Sequence, residues 1–112
     1  MGVGAQLSVT DLRRGARHPV DHPVIAEHAQ RGDIKLTITN LSAHGFMVDE
    51  GPKMSRGDRV VIRLPIIGRI EAYVIWTREP RIGFQFERII RFDEFINVID
   101  TIQPNPRLRK SR

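Results

Sequence analysis

The chain contains no cysteine, one tryptophan, one tyrosine and three lysines in 112 residues. Without thiols it can build neither a disulfide framework nor a thiolate metal site, so a secreted, disulfide-held scaffold is excluded and a reducing cytoplasm is the expected location. No apolar run approaches the roughly 20 residues that span a bilayer, and the first residues lack a basic-then-apolar leader pattern. Membrane insertion is not expected. One compact core is the expectation for this length.

Arginine is abundant where lysine is scarce: 15 against 3, within a net charge of +5. The excess lies at the ends, with Arg13, Arg14 and Arg17 before the first strand and Arg107, Arg109, Lys110 and Arg112 at the close. Between them, residues 18–106 carry 11 basic and 12 acidic side chains. A double-strand binder carries a broad basic stripe matched to phosphate spacing, so DNA is not an expected partner. Arginine instead favours forked contacts to phosphate or guanine.

Short alternating segments fill the middle of the chain. Ile34, Leu36 and Ile38 alternate with Lys35, Thr37 and Thr39, and the pattern resumes at Phe46 and Val48. Val60, Ile62 and Leu64 form another inward row, followed by Ile70, Ala72, Val74 and Trp76, and by Ile82, Phe84 and Phe86. Val20 to His28 also alternates, but Pro19 and Pro23 cannot donate to a ladder and mark it as an edge strand. Six short strands with regular turns and no intervening helix predict an antiparallel barrel or sandwich. The period then changes: Phe92, Phe95, Ile96, Ile99 and Ile102 follow one face of a helix, with Asp93 and Glu94 in its first turn and Pro104 and Pro106 beyond its end. Such a helix would cover an open side of the barrel.

Two polar segments stand out from this framework. Arg13-Arg14-Gly15-Ala16-Arg17 places two arginines four apart around a flexible pair, and Asn40-Leu41-Ser42-Ala43-His44-Gly45 is a polar turn between two strands. The turn reads as a hairpin connection or as a contact loop for a small ligand, and Gly45 there supplies either a positive φ or a close approach to the backbone. An Arg-x-x-x-Arg arm followed by a strand and Asn/Asp-x-Ser-x-x-Gly resembles the PilZ domain, a bacterial receptor module for cyclic di-GMP. The likeness runs from about Leu12 to Ile102 and includes 57–64, 72–76 and 82–86.

The resemblance implies a mainly β fold, a six-stranded antiparallel β-barrel of split-barrel type with a C-terminal α-helix. Residues 1–11 are then a flexible N-terminus, 12–102 the PilZ-like domain (arm 12–18, barrel 19–88, helix 91–102) and 103–112 a basic tail. It implies a cyclic di-GMP receptor that relays messenger level to an unidentified protein partner by ordering its arm, as a monomer or weak homodimer. The implied ligand-binding residues are Arg13 and Arg17 on phosphate or guanine, Arg14 in support, Asn40 on a guanine edge, Ser42 donating a hydroxyl, and Gly45 keeping the backbone clear of the base. His44 is a further stacking candidate. No cofactor, metal or catalytic residue is expected.

Other chemistries fit less well. Ser42 and His44 lie two apart on one turn without an acid to orient the imidazole, which argues against a hydrolase. His18, His22 and His28 follow an extended segment in which positions four apart are about 13 Å distant, too far to share a zinc ion. They read as surface or lightly buried side chains, and Trp76 and the phenylalanines read as core. Two binding alternatives remain: single-stranded RNA on an exposed aromatic face, and a PilZ-like adaptor that acts through protein contacts alone.

Overall fold

The computed structural model describes residues 17–102. The expectations for Arg13, Arg14, the 1–11 segment and the 103–112 tail lie outside the described residues. The elements are β1 (His18–His28), β2 (Gly32–Leu41), β3 (Gly45–Val48), β4 (Arg59–Leu64), β5 (Gly68–Arg78), β6 (Arg81–Phe86) and α1 (Phe92–Thr101). The strands close into an antiparallel barrel in the order β1-β2-β3-β6-β5-β4. The expected six-stranded barrel with a terminal helix is therefore the fold.

Period-two alternation positions the core. Val24 and Ala26 on β1, Leu36 and Ile38 on β2, Val60 and Ile62 on β4, and Ile70 and Val74 on β5 all point inward and are buried. Phe46 stacks on Phe84 at 4.5 Å between ring centroids and tilts against Phe86 at 5.6 Å, joining β3 to β6 through the interior. Each valine, leucine, isoleucine or phenylalanine side chain fully removed from water contributes roughly 1.5–3 kcal/mol.

β1 departs from the edge strand expected of it. It pairs with β2 along its length and also with β4, through Glu27↔Val61 and His28↔Val60. The prolines explain both the expectation and its failure. Pro19 and Pro23 lie in the first part of β1, where the ladder to β2 is irregular between Pro19 and His22, and the pairing that closes the barrel falls beyond them. His28 is likewise buried, not superficial: its Nδ1 accepts the backbone N–H groups of Gln30 and Arg31 at 3.1 and 3.2 Å, which fixes the turn into β2. His22 is half-buried, and desolvation lowers its pKa below the ordinary histidine value.

The helix and its C-cap bury Phe95, Val98 and Ile102, while Ile96 and Ile99 of the expected face are only half-buried. At ten residues α1 is too short to be stable alone, so packing holds it. One contact is the His18 ring, which meets Phe95 edge-on at 5.3 Å. Another is the backbone bond from the Ile90 N–H to the Ala43 carbonyl, 2.9 Å, at the approach to the helix. Among the described residues no helix is long and apolar enough to cross a membrane, and no cluster of side chains could hold a metal ion.

Candidate ligand-binding site

The turn between β2 and β3 is built from its own side chain. The Ser42 hydroxyl accepts the N–H groups of His44 and Gly45 at 3.1 and 3.3 Å and donates to the Gly45 carbonyl at 3.4 Å. The Ser42 backbone N–H reaches the same carbonyl at 2.9 Å. A hydroxyl has one donor and two acceptor sites, so that of Ser42 is fully engaged inside the loop. Bonds from the Phe86 N–H to the His44 carbonyl and from the Ile90 N–H to the Ala43 carbonyl then fasten the loop to the end of β6 and the approach to α1. The result is a fixed platform.

Gly45 is small for a reason internal to the barrel. A Cβ there would lie 2.0 Å from the Phe84 carbonyl oxygen and 2.9 Å from the Gln85 Cα. What approaches this backbone closely is β6. Of the two readings the sequence leaves open, close approach is the one that holds, since Gly45 does not have a positive φ.

Two β-bulges decide which side chains face outward beside this platform. On β2 the ladder to β3 slips between Ile38 and Asn40, so the inward sequence runs Leu36, Ile38, Leu41 and the Asn40 side chain is turned to the outer face. On β5 the ladder to β6 slips between Val74 and Trp76. Trp76 therefore leaves the inward row predicted for it and lies over Gly83, where a Cβ would meet the indole Nε1 at 2.1 Å. A bulge adds one residue to one strand, which reverses the facing of everything after it. Sequence periodicity cannot register this reversal, but an isolated glycine inside a strand, as at Gly83, is a signal of close approach.

These features share one hollow, with a cavity volume of about 120 Å³, lined among others by Arg17, Asn40, Ser42, His44, Gly45, Trp76 and Gln85. Of the residues placed at a site from sequence, all that fall within the described segment reach it. Trp76 and Gln85 are additional. None of the described lining residues is acidic, and the exposed Arg17 supplies the formal positive charge. The hollow is smaller than the roughly 300–1,000 Å³ of pockets that enclose drug-sized ligands. It can seat one flat ring on the indole and the loop, leaving the rest of a larger ligand for other groups to cover.

Comparison with known proteins agrees with this architecture. A family model described as "PilZ domain" matches residues 11–96, and the chain belongs to the PilZ family. Domains of that family are in general cyclic di-GMP receptors and binding or adaptor modules. Among solved structures, the barrel is similar to a crystal structure of the PilZ domain of CeSA from a cellulose-synthesizing bacterium. That likeness has a TM-score of 0.56 and 23% identity, and covers 79% of this chain and 95% of the other. At that identity the likeness concerns the fold. No curated protein matches the chain.

Proposed function

We propose that the protein is a cyclic di-GMP receptor in which the hollow beside the β2–β3 loop seats one guanine. The observation that carries this reading is convergence: Arg17, Asn40 with the adjoining loop 42–45, and the Trp76 indole come from three separate segments and line one concavity. An indole face stacks a purine, a carboxamide pairs with the amide-like edge of guanine, and a guanidinium forks onto phosphate oxygens or guanine O6 and N7. Because the hollow is small, the arm carrying Arg13, Arg14 and Arg17 supplies the remaining cover and charge. Ser42 acts by shaping the loop and Gly45 by letting β3 approach β6, so both serve the site through its geometry.

The single tryptophan makes the test direct. Titrating the full chain with cyclic di-GMP should change Trp76 emission and release heat with a Kd in the micromolar range, about −8 kcal/mol. Absence of both signals at roughly 100 times that concentration would remove the assignment.

The same reading includes an output. Capture of the arm reaches α1 through His18, which follows Arg17 and rests on Phe95, while the loop side reaches the approach to α1 through Ala43 and Ile90. Nucleotide held between arm and loop therefore bears on both attachments of the helix, and a protein partner reads the change in the surface around it. Amide exchange in Arg17 to Val20 and in α1 should slow when cyclic di-GMP is added. Protection confined to the β2–β3 loop would sink the relay and leave the binding site standing.

A further inference from the structure

The hairpin joining β4 to β5 carries two features that cost folding energy. Ile66 has φ +73°, a region that β-branched residues rarely enter, where glycine or asparagine would sit more comfortably. Its neighbours form a tight three-residue turn in which the Ile67 N–H bonds the Pro65 carbonyl at 2.7 Å. The Ile66 side chain gains nothing from the core, being 58% exposed at the tip.

Directly behind the tip, Arg63 and Arg69 are paired across the two strands and are both exposed on the outer face. Like charges placed opposite one another on a sheet repel. On that face Glu27 and Glu71 line a hollow together with Arg59 and Arg69, but Glu71 is engaged by Arg59 at 3.6 Å, and no ion pair among the described residues involves Arg63 or Arg69.

An apolar side chain exposed at a tight turn, with two guanidinium groups behind it that enter no ion pair among the described residues, matches one kind of surface. We infer that the 63–69 hairpin tip is a contact site for a bilayer containing anionic phospholipid, with Ile66 entering the interface and Arg63 and Arg69 meeting the phosphates. The spacing fits. At about 3.3 Å per extended residue the arginines lie at most about 10 Å behind Ile66, within the roughly 5–10 Å to which interfacial apolar groups sink. Ile66 is exposed at a three-residue turn whose Ile67 packs on the core, so a soft, planar, anionic partner suits it better than a shaped protein surface. Local strain and charge repulsion in the free protein are then relieved or offset on contact. This contact requires no spanning segment and is independent of the nucleotide site.

The experiment is co-sedimentation of the full chain with vesicles of phosphatidylcholine alone and with roughly one phosphatidylglycerol in three lipids. Binding is expected to the anionic vesicles only and to weaken with salt. Ile66→Asn, which tolerates the same backbone conformation, should lower the bound fraction about threefold or more. The double variant Arg63→Gln/Arg69→Gln should lower it about tenfold. A melting temperature equal to or above that of wild type and a cooperative transition would show that these variants are folded. Equal binding by wild type and folded variants would overturn the proposal, because attraction would then belong to the basic chain ends. No vesicle binding at all, or equal binding to neutral vesicles, would overturn it as well.

Discussion

Gly45→Ala is expected to cost the domain about 3 kcal/mol or more, at the upper end of what overpacking a fixed interior does. The added methyl carbon would sit 2.0 Å from the Phe84 carbonyl oxygen, and that neighbour is backbone, which cannot rotate out of the way. Relief requires β3 to withdraw from β6, and β3 has only four residues with which to hold its place. Withdrawal would loosen the Gly45↔Gln85 and Phe46↔Phe84 pairs and with them the 4.5 Å ring stack. Against a typical total stability of about 5–15 kcal/mol this is a large fraction. In a thermal melt followed by circular dichroism it corresponds to a drop on the order of 12–24 °C. A melting temperature within about 2 °C of wild type would show that the two strands have room to spare.

The contrast with Gly83 shows why the two glycines have different consequences. At Gly83 the obstructing atoms belong to the Trp76 side chain, whose indole can swing aside. A methyl group there would disturb the floor of the hollow more than the barrel. One glycine protects the fold and the other shapes the floor of the hollow.

Legibility from sequence divides along the same line. Every strand and the helix are readable because burial imposes a period: alternation at Ile34 to Thr39, Arg59 to Leu64 and Arg81 to Phe86, and helical spacing from Phe92 onward. The site is readable only in part. Motif resemblance identifies the residues that gather at the β2–β3 loop, but not that the Ser42 hydroxyl braces the loop and that the missing side chain of Gly45 lets β3 approach β6. Period-two spacing puts Trp76 in the core because nothing in that spacing announces a bulge. The closure of β1 onto β4 escapes the sequence for a related reason. Proline describes where a ladder is broken, not where it resumes.

Arg17→Ala should weaken cyclic di-GMP binding at least tenfold and leave the melting temperature within a few degrees of wild type. Arg17 is exposed and precedes β1, so its truncation falls in the class of surface changes worth within about ±0.5 kcal/mol of stability. Binding is a different matter, since a hydrogen bond to a charged group contributes roughly 1.5–3 kcal/mol net. At about 1.4 kcal/mol per decade, loss of one such bond already gives tenfold, and loss of a forked pair gives more. Arg17→Lys separates charge from geometry: an ammonium keeps the positive charge but cannot fork, so it should recover only part of the affinity. Calorimetry on wild type and the two variants decides between the possibilities. Equal affinities for all three would place the nucleotide away from the hollow, because a ligand seated against Trp76 and Asn40 shares that hollow with Arg17.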